Sequence, residues 1–233
     1  MKNYTKAFTL SELLVALGVI GILCAILLPV IVNLLPNQNT MMAKRAYYMV
    51  QSVVSDLIND ESCYPDKSNS ASGKRYGFDD GFAYSNCVNW DAAADISTEA
   101  NAGKKFATLY TDKVDVSSTN IGTDGKGSFT TKDGMSWSFD GTGFASKASK
   151  TSVAKLIVDV NGKEAPNCGQ STASNVDLGD GATLEGNDKC KAREKGFDRF
   201  VINIYEDGRL KVDASDTWAL NAIKVNKDIT EDK

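Results

Sequence analysis

The stretch "KAFTLSELLVAL", residues 6–17, places one carboxylate, Glu12, at the start of a long apolar segment. The twenty residues from Leu13 to Val32 carry no charge. As an α-helix this segment is about 30 Å long, which is enough to cross the hydrocarbon core of a bilayer. Charged side chains are costly inside a membrane, so Glu12 either lies in the headgroup region or is neutralised by a partner.

Charge is unevenly distributed along the 233 residues, whose formal net charge is −4. Residues 1–7 contain Lys2 and Lys6 and no acid, so they contribute +2 and the remainder contributes −6. Positive flanks of a membrane helix stay in the cytoplasm, so we expect a single-pass protein whose C-terminal domain lies outside the membrane. An acidic body also argues against nucleic acid as a partner, because phosphate binding needs clustered Lys and Arg.

Five cysteines divide between the apolar segment, which holds Cys24, and the exported part, where disulfides can form. The four exported cysteines allow three pairings. We favour Cys63–Cys87 and Cys168–Cys190, because each pair brackets a polar, glycine-containing stretch. A structural zinc site is the alternative, but the chain has no histidine and no CxxC spacing, so disulfides are the better prediction.

The remainder of the sequence predicts an α+β domain. Apolar residues between 43 and 58 recur at spacings of three and four, which predicts an amphipathic helix. Residues 61–120 contain turn residues and short aromatic pieces, for which we expect irregular structure and short elements. Alternating segments joined by glycine turns then predict an antiparallel sheet of four or five strands that covers the helix: "GSFTT", "MSWSF", "VAKLIVDV", "RFVINIY" and "RLKVDA".

The stretch "KAFTLSE", followed by about twenty apolar residues, resembles the class III signal of type IV pilins and type II secretion pseudopilins. The resemblance implies that a prepilin peptidase cuts between Ala7 and Phe8 and that the new amino group of Phe8 is methylated. Glu12 is fifth after that cut, as in the family, whereas Ala7 replaces the usual glycine. Pro29 matches a proline that is common in these subunits.

Glu12 and Phe8 give the resemblance a physical basis. The cut creates a cationic amino group on Phe8, with which the Glu12 carboxylate of a neighbouring subunit can pair at low dielectric. Such a pair specifies the axial stagger of packed helices more than it adds stability. The family also implies local melting of the helix between Gly21 and Pro29 during assembly, and Pro36 is a further expected kink.

The resemblance divides the chain into four parts. These are a leader peptide at 1–7, a membrane-spanning and filament-core helix at 8–36, the amphipathic half of that helix at 37–60, and a periplasmic or extracellular head at 61–233. The expected fold is pilin-like, with a long N-terminal helix packed against a C-terminal antiparallel sheet. Expected partners are other pilin or pseudopilin subunits, the prepilin peptidase, an inner-membrane assembly platform and the membrane itself.

A second resemblance lies in "IVDVNGKEAPN" and "GFDRFVINIYEDGRL", which look like the C-terminal strand–turn–strand of minor pilin-like subunits. Loops in some pseudopilins bind Ca²⁺, and oxygen ligands are available here from Asp159, Asn161, Glu164 and Asp198. The alternative, which we favour, is that Asp159 and Asn161 build an Asx-type turn without a metal. No other cofactor is expected.

Catalysis finds little support in the sequence, because a chain without histidine cannot form a Ser-His-Asp or Cys-His arrangement. We therefore expect a structural subunit of a type IV pilus or type II secretion pseudopilus, and a minor subunit, since the main subunits are often shorter. Two alternatives stay open: a monomeric membrane-anchored periplasmic binding protein and an adhesive surface pilin.

Overall fold

The computed structural model describes residues 10–34, 38–65, 77–87, 101–122, 125–140, 153–184 and 196–223. The chain divides into two compact units, Met1–Asn37 and Gln38–Lys233. The first unit contains helix α1, Leu10–Leu34, and the second contains all other elements, so it is called the head here.

Helix α1 is apolar all round, and the large side chains of its first 18 residues are exposed. Helix α2, Gln38–Ile58, is different because it buries one face. Its buried residues recur at helical spacing: Ala43, Ala46, Val50, Val53, Val54 and Leu57. Two shorter helices follow, α3 at Ala102–Lys113 and α4 at Thr217–Ile223, and α2 packs against both. The amphipathic pattern therefore identified the buried face of α2 correctly.

Six antiparallel strands form one sheet in sequence order, so neighbours in the chain are neighbours in the sheet. Tight turns containing glycine join β2 to β3 and β5 to β6, as the sequence predicts. The strands are β1 Val116–Ile121, β2 Lys126–Thr131, β3 Ser136–Asp140, β4 Val153–Asp159, β5 Arg199–Tyr205 and β6 Leu210–Val212. This α+β architecture confirms the predicted fold class.

The two faces of the sheet have different roles. The front face carries large apolar residues that form one core with α2, α3 and α4, among them Phe129, Trp137, Leu156 and Phe200. Strand alternation places Ser128, Ser138, Ile157 and Val201 on the opposite, back face. Only Ile157 and Val201 of these belong to a second, smaller apolar cluster, which Leu178 completes.

Two elements were not assigned from the sequence. Irregular structure and short elements were expected in residues 61–120, which contain α3 and most of β1, and the sheet has one strand more than predicted. Strand β1 is polar and exposed, with the sequence VSSTNI, so it lacks the apolar alternation that marks the other strands. Helix α3 is short, and its buried face includes Lys105, which weakens the apolar pattern.

Candidate functional site

The residues predicted for processing and assembly lie at the beginning of the chain. Ala7 and Phe8 fall outside the described residues, whereas Glu12 lies in the first turn of α1. An acid in the first turn interacts favourably with the positive end of the helix dipole. The place of Glu12 in the helix is therefore favourable before any partner is considered.

The surface of α1 is the unusual feature of this segment. From Leu10 to Leu27 none of the helix is buried, and by length and composition it can cross a membrane. Leu10 is 83% exposed, and Leu14 is 66% exposed. Each Å² of such surface costs about 25 cal/mol in contact with water. This helix consequently needs a bilayer or other helices around it.

Helix α1 continues through Gly21 and Pro29, two of the predicted kink positions. Apart from the adjacent residues and the nearby backbone of α1, a Cβ added at Gly18 or Gly21 would meet no atom of the described residues within 4 Å. Packing within the described chain therefore does not explain either glycine. Kinks at Gly21 and Pro29 stay predictions, and Pro36 lies outside the described residues.

A disulfide joins Cys63 to Cys87, the pairing that the sequence favours, with their Cα atoms 5.0 Å apart. Cys168 is also disulfide-bonded, and its predicted partner Cys190 lies outside the described residues. Cys24 is a free, exposed cysteine of α1. The disulfides therefore belong to the head.

A buried lysine holds the Cys63–Cys87 segment against α3. The Lys105 ammonium donates a hydrogen bond to the Cys63 carbonyl, and it lies 4.2 Å from the centroid of the Tyr64 ring. It also lies 4.9 Å from the ring of Tyr84, whose hydroxyl donates to Asp80 at 2.7 Å. Cation–π contacts strengthen when the cation is desolvated, so these rings help to compensate the buried charge.

The residues predicted as Ca²⁺ ligands lie where β4 ends and β5 begins. Asp159, at the end of β4, accepts a hydrogen bond from Arg199 Nε at 2.5 Å, and both side chains are fully buried. Asp198 accepts two amide hydrogen bonds, from Asn167 at 2.8 Å and from Cys168 at 2.5 Å. Arginine and backbone amides thus occupy much of the oxygen surface that a metal would use.

Three of the four predicted ligands lie close together in the structure. Asp198 and Asn161 are both near enough to Asp159 to shift its pKa. Glu164 is exposed. Asp159 Oδ1 and Asn161 Oδ1 are buried without a hydrogen-bond partner among the described residues. Among the described residues, no group of three or more His, Cys, Asp or Glu side chains is arranged to hold a metal. A Ca²⁺ site here stays a prediction.

Burial dominates the electrostatics of this cluster. Desolvation raises the pKa of Asp159 to about 7, the nearby Asp198 adds to the rise, and Arg199 opposes it. Burial also raises the pKa of Asp198, against the hydrogen bonds from Cys168 and Asn167. The Arg199 guanidinium thus acts on two buried carboxyl groups, on Asp159 through a hydrogen bond and on Asp198 through its charge.

A further buried acid, Asp216, was missed by the sequence analysis. Its carboxylate accepts hydrogen bonds from the amides of Ser171 and Val201 and from the Ser174 hydroxyl, each at 2.8 Å. It thereby ties the loop after β4 to the sheet. An acid just before an apolar helical segment is a typical N-cap signal, so the sequence marks Asp216 locally. No local pattern indicates partners that lie 15 to 45 residues away.

Comparison with known proteins concerns the N-terminal segment alone. Residues 2–28 match the family model described as the prokaryotic N-terminal methylation motif. No curated protein and no solved structure matches the chain. The matched segment contains Ala7, Phe8 and Glu12, the residues on which the resemblance rests. The chain therefore carries the prepilin-type signal of type IV pilins and pseudopilins, ahead of an α+β head.

Proposed function

We propose that this chain is a structural subunit of a type IV pilus or of a type II secretion pseudopilus. It is cleaved between Ala7 and Phe8, methylated at Phe8 and assembled through α1. One observation carries the proposal: the methylation motif at 2–28 coincides with a helix whose apolar surface is exposed from Leu10 to Leu27. The motif indicates a structural subunit rather than an enzyme.

The exposed surface of α1 supports assembly through helix packing. In the precursor the bilayer covers the leucines and isoleucines of α1, and in a filament the same surface is covered by the α1 helices of neighbouring subunits. Exchange of lipid for protein costs little hydrophobic energy, because both surroundings are apolar. Polar and charged groups then set the geometry, and Glu12 is the acidic residue in the first turn.

Charge at the N-terminus supports the orientation. Lys2 and Lys6 stay on the cytoplasmic side, so the head lies outside the inner membrane. Assembly then requires the prepilin peptidase, the other subunits and a platform in the inner membrane. A chain of 233 residues is longer than many main subunits of the family, which favours a minor subunit.

The first test is mass spectrometry of the N-terminal peptide from protein extracted from its native membrane. The expected peptide begins at Phe8 and carries one added methyl group. A chain that retains residues 1–7 in the presence of the peptidase would contradict the proposal. It would favour the monomeric membrane-anchored protein instead.

The second test separates processing from assembly. Glu12→Gln keeps the size of the side chain and removes its charge, so processing should continue while incorporation into filaments is lost. Asp56→Asn is the matched control, because Asp56 is an exposed acid on α2. Cross-linking of subunits in the membrane and in sheared filaments measures incorporation. Normal incorporation of Glu12→Gln would show that charge pairing does not guide assembly.

A further inference from the structure

The back face of the sheet is polar where the front face is apolar. On β1 and β2 it carries Ser118, Asn120, Ser128 and Thr130, which alternate with residues such as Phe129 that turn to the core. The register pairs Asn120 with Ser128 and Ser118 with Thr130, so the four side chains form two adjacent rows. This group is called the polar floor below.

A cleft of about 170 Å³ lies over the polar floor. Gly179 and Asp180, from the loop after β4, also line it, as does Lys163 from the turn that follows β4. The loop lies close to the floor, because a Cβ added at Gly179 would lie 3.9 Å from Ser128 Oγ. Gly179 also has a φ of +70°, which disfavours other residues at this position.

The polar groups of the cleft have spare hydrogen-bonding capacity. Within the described part of the chain, the four side chains of the polar floor have no hydrogen-bond partner, although Ser128 is only 8% exposed. Asp180 accepts a hydrogen bond from the Ala182 amide through Oδ1. Ser118 and Asn120 are exposed and bond to water in the free protein, so a ligand that reproduces the hydrogen bonds of these waters can displace them.

The mixture of groups specifies the chemistry of the ligand. Hydroxyl groups and the Asn120 amide both donate and accept, whereas Asp180 only accepts and Lys163 only donates. The two charges are of opposite sign, so a ligand of either net charge gains little. Phe129 also lines the cleft, but its side chain belongs to the core and is only 2% exposed, so among the described residues it offers little aromatic surface to a flat apolar ligand. A ring carrying many hydroxyl groups matches this lining.

We propose that the cleft binds a neutral carbohydrate, with one sugar ring seated on the polar floor between Asp180 and Lys163. The volume of the cleft, about 170 Å³, is sufficient for one ring. Carbohydrate binding goes beyond the proposed role as a filament subunit and does not depend on it. It would let the head hold a glycan wherever the head is displayed.

Saturation-transfer NMR on the full chain in detergent tests the site, with glucose, galactose and N-acetylglucosamine as probes and glycine as a zwitterionic control. Saturation should pass to the ring protons of at least one sugar and not to glycine. Asn120→Ala and Asp180→Asn should each weaken that sugar about tenfold, because each removes a ligand hydrogen bond. Ser52→Ala is the control, since Ser52 is an exposed serine of α2 and is not among the residues that line the cleft.

Three outcomes would overturn the proposal: no transfer to any sugar, transfer to glycine alone, or equal sugar binding by the wild type and the cleft variants. Lys163→Ala is a cleft variant that should fold normally, because Lys163 is exposed in a turn and its removal leaves the core intact. It should also weaken sugar binding. Filament incorporation of the same variants should be normal, so failure of sugar binding is distinguishable from failure of the subunit role.

Discussion

Helices α1 and α2 are of similar length, 25 and 21 residues, yet they differ in how much of their apolar surface is buried. Helix α2 concentrates small and β-branched residues on one face and buries that face in the head. Helix α1 is apolar on every side, and none of its surface from Leu10 to Leu27 is buried. Among the described residues, the apolar face of α2 is therefore buried within the head, whereas the apolar surface of α1 is not buried.

The contrast is a general one. A stripe of apolar residues predicts a helix that packs on its own domain, and a helix that is apolar all round belongs in a membrane or inside an assembly. Substitutions in the head should therefore change its free energy of unfolding, and comparable substitutions in α1 should not.

The largest effect is expected at Arg199. Arg199→Met leaves the buried carboxylates of Asp159 and Asp198 without their guanidinium, so the free energy of unfolding should fall by about 3–5 kcal/mol. Arg209→Met is the control, because the Arg209–Asp207 pair is exposed, and its loss should cost less than about 1 kcal/mol. Chemical denaturation followed by tryptophan fluorescence measures both. Equal losses would mean that burial of the Arg199 pair is not what matters.

The next largest effect is expected for one leucine of a matched pair, with one member in each helix. Leu57 of α2 is fully buried, so Leu57→Ala should lower the free energy of unfolding by about 2–5 kcal/mol. Leu17 of α1 is 61% exposed, so Leu17→Ala should leave the stability of the head unchanged. The same denaturation experiment applies. A comparable loss in both variants would break the distinction between α1 and α2.

The disulfide provides a third comparison. Replacing Cys63 and Cys87 by serine opens a loop with a sequence separation of 24 residues, which should cost about 3 kcal/mol. Cys24→Ser in α1 removes a free, exposed thiol and should cost the head nothing. Thermal unfolding of the two variants gives the difference. An unchanged midpoint in the double variant would show that Lys105 and its neighbouring rings hold the segment without the disulfide.

The last expected effect, and the smallest when it is expressed per pH unit, is a dependence on pH. The folded-state pKa of Asp159 is raised to about 7 from 3.8, so the folded head binds this proton more tightly than the unfolded chain. Its contribution to stability is full below pH 3.8 and is lost as the pH rises through 7, by at most about 1.4 kcal/mol per pH unit. Burial also raises the pKa values of Asp198 and Asp216, which contribute with the same sign.

Asp159→Asn isolates that contribution, because it removes the titrating group and keeps its shape. The free energy of unfolding of this variant should fall less steeply between pH 4 and 7 than that of the wild type. The side-chain charges of Asp198 and Arg199 both act on Asp159, so variants of these two residues should change the same slope. A slope identical to that of the wild type would assign the pH dependence to other groups.

Much of the sheet was predictable because local sequence patterns identify its strands. The segments now assigned to β2 to β6 contain β-branched or aromatic residues, and tight glycine turns join β2 to β3 and β5 to β6. Strand β1 was not predictable, because its residues from Ser117 to Asn120 are exposed and polar and only pairing with β2 makes them a strand. Helix α3 was obscured by the buried Lys105, whose partners lie in other segments.

The sequence by itself determined the properties that depend on neighbouring residues: the prepilin-type signal, the apolar length of α1, the buried face of α2 and most strands. Tertiary structure alone decided which buried charges meet, as in Arg199 with Asp159 and in Asp216 with Ser171. It also decided that a polar floor and a loop enclose a cleft. The physical reason is range, since composition and periodicity act over a few residues, whereas these contacts join segments about 30 to 60 residues apart.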